Sequence, residues 1–152
     1  MSYQFKLEAL RRYRLFQEEA LNKELADAQR LRDLAIQDLA GIQAMRDKTE
    51  ADLQQQKVRA GFAPQVIVFH RFLRKLAEDL IRQQHKVQAA QTLCDQRRED
   101  LLEAMKKRKA LDKLKENGLR AYLSDLDKEE AKFINEMAIN RFNLESLNKE
   151  ND

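Results

Sequence analysis

The chain has 152 residues, of which 36% are charged and only 7% aromatic, and it holds three glycines and one proline. Few turn-forming residues and many charges are typical of long helices, and they argue against a compact core built of several layers. The 29 basic and 26 acidic residues leave a net charge of +3, a balance that argues against a dedicated nucleic-acid-binding protein.

The sequence carries no pattern of a membrane or secretory segment. No run approaches the roughly 18 consecutive apolar residues of a membrane span, and the first residues lack an apolar core of signal-peptide length. The single cysteine, Cys94, has no partner for an intrachain disulfide, and a buried free cysteine behaves as a small hydrophobic residue. We therefore expect a soluble, cytoplasmic, all-helical protein.

The first predicted helix runs from about residue 5 to residue 59. Apolar residues recur along it at steps of three and four, the spacing that lines one face of a helix. The members of this stripe are Leu21, Leu25, Ala28, Leu31, Ala35, Leu39, Ile42, Met45, Thr49 and Leu53. The two alanines leave room for a second helix to approach closely.

A predicted bend covers residues 60–64, where Gly61-Phe62-Ala63-Pro64 is the strongest interruption of the helical pattern. Proline suits the first turn of a helix and is excluded from its interior. Glycine supplies the backbone angles that a tight connection needs. Because this connection is short and joins two long apolar stripes, we expect the flanking helices to be antiparallel neighbours.

The second predicted helix runs from about residue 65 to residue 148, and its heptad pattern is the most regular in the chain. Every seventh residue over about five heptads is apolar or cysteine, which predicts a coiled-coil seam. The series consists of Val66, Leu73, Leu80, Val87, Cys94 and Leu101. A seam needs a second helix, and the first predicted helix supplies it.

The predicted fold class is all-α: a single domain over residues 1–152 that forms a long antiparallel two-helix coiled-coil hairpin, with the second helix longer than the first. Folding the helices back on each other places Phe5 opposite about Gly118. The heptad frame also shifts there by four residues, as in a stutter that locally unwinds a coiled coil. Gly118 is either a kink in one continuous helix or a turn into a third helix. We favour the continuous helix, because one glycine costs only about 1 kcal/mol.

The sequence contains no pattern of an active site, cofactor site or metal site. His70 and His85 have no cysteine or histidine at metal-ligand spacing, and there is no glycine-rich phosphate loop. The many Asp and Glu residues fit as partners of Lys and Arg on exposed helix faces. We therefore predict that the protein is not an enzyme and that it holds no cofactor and no metal.

A basic cluster on the second predicted helix is the first candidate for binding a partner. Lys106, Lys107 and Lys109 form either an electrostatic dock, for an acidic partner or for the phosphates of a nucleic acid, or a solvated helix face. Arg108 and Lys115 fall on the extended seam, which predicts that the seam loosens there.

The second candidate is a row of apolar residues beyond the predicted end of the first helix. If the second helix continues, nothing from the first helix covers this row, and a bare apolar row indicates an interaction surface. If a third helix folds back, the same row becomes internal core. The row consists of Leu119, Tyr122, Leu126, Phe133, Met137, Leu144 and Leu147.

The same region carries recognisable motifs. A basic stretch over residues 106–116 precedes Tyr122, and it is followed by Glu130-Ala131-Lys132 and by Asn135-Glu136 with Ala138 and Arg141. The chain resembles the flagellar export protein FliJ family in these motifs and in its opening Phe5-x-Leu7-x-x-Leu10. Its length and hairpin plan resemble those of the family as well. It departs from the family pattern at Ala131, where glutamine is usual, and at Asn135, where aspartate is usual.

The resemblance implies a soluble component of the flagellar type III protein export apparatus, which serves flagellum biogenesis and motility. The family is an antiparallel coiled coil that binds in the central hole of the hexameric export ATPase FliI, connects it to the export gate protein FlhA and escorts export chaperones. The residues that the resemblance places toward the ATPase are Lys106, Lys107, Lys109, Tyr122, Leu126, Phe133, Met137 and Arg141. Candidates for the gate contact are Phe69, Phe72 and Leu76.

Other interpretations of the sequence stay open. A self-associating coiled-coil scaffold would pair the distal row between two copies. A stalk protein of the injectisome, of the YscO kind, is similar to the flagellar family in plan. For the export stalk we expect no nucleic-acid partner and an association with the inner membrane only through the export apparatus.

Overall fold

The computed structural model describes residues 2–59 and 63–150. Within these ranges the chain forms two α-helices and no β-strand: α1 spans Glu8–Arg59 and α2 spans Ala63–Glu150. The all-α class and the longer second helix are therefore confirmed.

α1 ends at Arg59 as predicted, and the other three helix ends differ from the predicted ends by two or three residues. α1 begins at Glu8 rather than near residue 5, and the amide of Glu8 donates to the carbonyl of Phe5 at 3.1 Å. A carboxylate in the first turn interacts favourably with the positive end of the helix dipole. α2 already begins at Ala63, so Pro64 lies in its first turn, where its missing N–H costs nothing. Of the predicted bend over residues 60–64, residues 60–62 lie outside the described residues.

The contacts divide the chain into two units, of which one is Phe16–Met105. In this unit Nη1 of Arg97 lies 3.3 Å from Oε2 of Glu24, and Nε2 of Gln83 donates to the carbonyl of Ala35 at 2.9 Å. A later position on α1 thus meets an earlier position on α2, so the helices are antiparallel. Six buried side chains lie on the two predicted stripes, whereas the predicted members Leu31 and Met45 are exposed. The six are Ala28, Thr49, Leu53, Leu80, Cys94 and Leu101, and Leu76, Gln83 and Ala104 are buried as well.

The other unit, called here the terminal unit, combines the described residues up to Leu15 with those from Lys106 onward. In it Nζ of Lys115 lies 3.0 Å from Oε2 of Glu8, and Nε of Arg11 lies 2.7 Å from Oδ1 of Asp112. These pairs again run antiparallel, which confirms the two-helix hairpin.

α2 continues through Gly118 without interruption. The alternative of a turn and a third helix at this position is therefore wrong, and the apolar row beyond it is not folded back into a core. From residue 123 to residue 149 every side chain of α2 is exposed.

Candidate partner-binding site

The candidate site lies on the distal segment, which we define as residues 123–149 of α2. The segment carries large apolar side chains that nothing in the described chain covers. Phe133 is 63% exposed, Met137 57% and Phe142 70%. A contiguous set of bare apolar side chains on a helix marks a surface for interaction.

One side of the distal segment continues the face of α2 that α1 covers. Leu111 is buried in the terminal unit, and Lys115 and Tyr122 are half-buried on the same side. Leu126 and Phe133 follow Tyr122 at steps of four and seven, which keep them on that side of the helix. The predicted apolar row is therefore the extension of the inter-helix seam beyond the start of α1.

Large apolar side chains also lie on the other sides of the distal segment, among its charged and polar residues, and the single predicted row did not include them. Phe142 follows Phe133 by nine residues, about two and a half helical turns, so the two rings lie on opposite sides of α2. Ile134 and Ile139 are 64% and 59% exposed and point in further directions. The predicted row does not contain them, because a heptad pattern describes only one face of a helix.

The cationic side chains of the basic cluster lie on two different sides of α2. Lys106, Lys107 and Lys109 are exposed, and no ion pair to them is found in the described ranges. Lys109 lies on the side of α2 away from the buried Leu111, because two residues correspond to slightly more than half a turn. These three lysines therefore form an outward-facing cationic patch.

Arg108 and Lys115 of the same stretch lie on the side of α2 that faces α1, whereas Lys113 pairs with Glu116 of α2. Nη1 of Arg108 donates to Oδ2 of Asp112 at 2.6 Å, and Nζ of Lys115 donates to Oε2 of Glu8 at 3.0 Å. Both residues on the extended seam are therefore paired, Arg108 within α2 and Lys115 across to α1. The seam changes from apolar packing to ion pairs, because α1 presents Glu8 and Arg11 at this level.

These ion pairs shift the pKa values of both carboxyl groups. The hydrogen bond from Arg11, with the charge of the same guanidinium and of Arg108, holds the pKa of Asp112 below its ordinary value against the opposing effect of burial. The hydrogen bond from Lys115 does the same for the pKa of Glu8. The pKa of Arg11 is raised in turn by Asp112. The start of α1 is thus fastened to α2 by charges that stay ionised at neutral pH.

The N-terminal residues before α1 reach the edge of the distal segment. Tyr3 is not helical and is half-buried, and its ring lies against Tyr122 with 5.7 Å between the ring centroids and 39° between the planes. The Tyr3 hydroxyl occupies the space that a Cβ on Gly118 would take. Tyr122 is the last residue of α2 before the fully exposed stretch.

The residues predicted to contact the export gate lie in the Phe16–Met105 unit and differ in accessibility. Phe72 is 38% exposed, whereas Leu76 is only 3% exposed and belongs to the buried seam. Phe69 is half-buried and lines a shallow groove with Asp52 and Gln55. A partner that approaches the folded hairpin therefore reaches Phe72 first.

The remaining ATPase-facing candidate, Arg141, lies on the distal segment. Its Nε lies 3.3 Å from Oε1 of Glu145, one turn further along. Both side chains are largely exposed, and an exposed pair of this kind contributes little to stability. Arg141 therefore remains accessible to a partner.

The described residues also bear on other kinds of site. Across the described ranges, no group of three or more His, Cys, Asp or Glu side chains could hold a metal ion. Neither α1 nor α2, over the residues described, contains a stretch long and apolar enough to cross a membrane.

Comparison with known proteins gives one match. The family model described as "Flagellar FliJ protein" matches residues 3–146, nearly the whole chain. No curated protein matches the sequence. No solved structure matches the chain either. The matched range includes both the N-terminal residues that contact Tyr122 and almost all of the distal segment.

Proposed function

The chain belongs to the flagellar FliJ family, whose members are non-enzymatic components of the flagellar export apparatus, and on this basis we propose that it is a stalk that binds the hexameric export ATPase. It inserts the distal segment of α2 into the central hole of the ATPase ring and modulates ATP turnover. It also links the ATPase to the export gate and escorts export chaperones. It acts in the cytoplasm and reaches the inner membrane only through the export apparatus.

The observation that carries the proposal is the distribution of apolar side chains around the distal segment. A helix with one apolar stripe packs against one neighbour, whereas exposed apolar side chains on several sides of a helix call for contacts on several sides. Phe133 and Phe142 point to opposite sides, and Ile139 points to a third. A ring that surrounds α2 contacts all of these side chains at once.

The outward-facing lysines support the same arrangement. Lys106 and Lys109 lie on the side of α2 away from α1, whereas the apolar row lies on the extension of the seam. A partner on one side of the helix reaches one of these features only. A ring rim reaches both, and carboxylates on that rim would pair with the lysines.

The self-associating scaffold explains less of the surface. Two copies that pair through the seam extension cover Leu126, Phe133 and Met137, but they leave Ile139 and Phe142 in water. Membership of the flagellar family likewise favours the flagellar machine over the injectisome.

For the gate contact we propose Phe72 as the principal residue, with Phe69 at its side. Leu76 supports this surface from within the seam, because its side chain is buried between the helices. A direct contact to Leu76 would require the two helices to separate.

The test of the ATPase contact is the double substitution Phe133→Asp with Met137→Asp. Two charges on the apolar row are expected to abolish binding to the purified flagellar export ATPase of the same organism, measured by calorimetry, and to remove any change of its ATP turnover. The matched control is Gln88→Asp with Gln96→Asp, which adds the same charge to exposed positions of α2 outside the distal segment. Circular dichroism is expected to show unchanged helicity, because all four side chains are exposed.

Two results would contradict the stalk. One is equal binding by the double variant and its control, because the apolar row would then play no part. The other concerns mass in solution without the ATPase: the wild-type chain would be a stable dimer, and the double variant at Phe133 and Met137 would be a monomer. That result would support the scaffold.

A further inference from the structure

We propose that Tyr3 is a displaceable cover over Tyr122, so that the N-terminal residues regulate access of the ATPase to Tyr122, which directly precedes the distal segment. This inference rests on the proposed ATPase contact, which includes Tyr122. It assigns to residues 2–7 a role that the ring-binding stalk does not require. The contacts of Tyr3, Gly118 and Tyr122 within the terminal unit carry it.

The first step is the fit between Tyr3 and Gly118. Glycine in the interior of a helix is unfavourable compared with alanine, so its presence calls for a reason in the packing. At Gly118 the reason is Tyr3: a Cβ there would overlap the Tyr3 hydroxyl and lie 3.2 Å from Cζ of the ring. Gly41, in the interior of α1, has nothing within 4 Å of the same position. Gly118 is therefore a notch that holds a specific side chain.

The second step is the position of this contact on α2. Tyr122 is half-buried, and every side chain from residue 123 to residue 149 is exposed. The Tyr3 ring lies against Tyr122 at a centroid distance of 5.7 Å. Tyr122 is thus the last covered residue of α2, and Tyr3 is the residue that covers it. A partner bound along the apolar row would contact Tyr3 where the row reaches Tyr122.

The third step is the difference between Tyr3 and the residues that hold α1 in place. Glu8 and Arg11 are fixed to α2 by ion pairs with Lys115 and Asp112. Tyr3 lies before the first helical residue and is joined to α1 through a turn that ends at Glu8. Its ring can leave the notch while those ion pairs stay in place. The cover therefore opens without separation of the two helices.

The test uses two substitutions that remove the cover in different ways. Tyr3→Ala deletes the ring, and Gly118→Ala fills the notch while strengthening the helix, since alanine is the best helix former. If the covered form holds about nine-tenths of the free chains, each substitution raises the affinity for the export ATPase by about tenfold. Gly41→Ala is the matched control and is expected to leave the affinity unchanged.

A second measurement follows the cover without any partner. Nitration of tyrosine by tetranitromethane, located by mass spectrometry, is expected to be slow at Tyr122 in the wild-type chain and faster in Tyr3→Ala and Gly118→Ala. Tyr13, which is 54% exposed, serves as the reference within each sample. Gly41→Ala is expected to behave as the wild type.

The two measurements separate this inference from the proposed function. Faster nitration together with tighter ATPase binding supports the cover. Unchanged nitration of Tyr122 in the variants overturns it. Unchanged or weaker ATPase binding by variants whose Tyr122 has become accessible also overturns it, because Tyr3 would then not compete with the ATPase for Tyr122. If neither the wild type nor any variant binds the ATPase, the proposed function fails, and with it the regulatory role, whatever the nitration rates show about the contact itself.

Discussion

Nε of Arg11 on α1 donates a hydrogen bond to Oδ1 of Asp112 on α2, with 2.7 Å between the two atoms. The second oxygen of Asp112 accepts a hydrogen bond from Arg108 at 2.6 Å. One carboxylate thus joins a guanidinium from each helix, and the neighbouring pair of Glu8 and Lys115 repeats the arrangement one turn away. The terminal unit is held in register by these charges where apolar seam residues are scarce.

Acid is expected to weaken the terminal unit through these carboxylates. The pKa values of Asp112 and Glu8 are lower in the folded chain than their ordinary values. The stability they contribute is therefore fully present above their ordinary pKa values, near 4, and is lost as the pH falls through the lowered values. We expect the urea midpoint of the wild type, followed by circular dichroism, to fall between about pH 5 and pH 3.

The control for this pH dependence is the variant Asp112→Asn with Glu8→Gln. It is expected to be less stable than the wild type at pH 7 and to lose less stability on acidification, so that the two midpoints converge at low pH. Parallel curves with a constant separation would show that these carboxylates do not carry the effect.

Stability of the Phe16–Met105 unit is expected to depend on its buried leucines. Leu76 is 3% exposed, and its replacement by alanine is expected to lower the free energy of unfolding by about 2–4 kcal/mol, because the lost contacts leave a cavity. Leu102→Ala is the matched control: Leu102 is 50% exposed, and its loss is expected to cost less than about 0.5 kcal/mol. Urea unfolding measures both. Equal costs would contradict the assignment of Leu76 to the seam.

Binding to the export gate is expected to depend on Phe72 without a loss of stability. Phe72→Asp places a charge on a side chain that is 38% exposed, so the affinity for the purified cytoplasmic domain of the gate protein is expected to fall at least tenfold while the urea midpoint is nearly unchanged. Ile81→Asp is the control, since Ile81 is exposed and lies about two and a half turns further on, on the opposite side of α2. Equal losses from both substitutions would remove the case for a site at Phe72.

The thiol of Cys94 is expected to report the opening of the Phe16–Met105 unit. The side chain is fully buried, with 0% exposure, and it belongs to the only cysteine in the sequence. Its reaction with a thiol reagent such as dithionitrobenzoate is expected to be slow in buffer and to accelerate with urea in step with the loss of helicity, because reaction requires opening of the seam. Rapid labelling of the native chain would contradict the burial of Cys94.

The sequence by itself determined the helices and much of the seam. Heptad spacing is a local property, so the series through Leu80, Cys94 and Leu101 predicted which face of α2 is buried, and all three side chains are buried. The length of uninterrupted pattern beyond Gly118 likewise predicted that α2 is the longer helix. The family motifs around Tyr122 and Arg141 are also local, and they predicted the family that the match over residues 3–146 identifies.

Only the tertiary structure decided what the polar and special residues of the seam do. Arg108 and Lys115 are paired rather than loosely packed, and Gly118 is a notch for Tyr3 rather than a hinge, because α1 and the residues before it stand in one register against α2. A shift of one helical turn would bring different partners to each of these positions. Periodicity shows which face a residue occupies, but the register of two long helices depends on contacts between residues about a hundred positions apart.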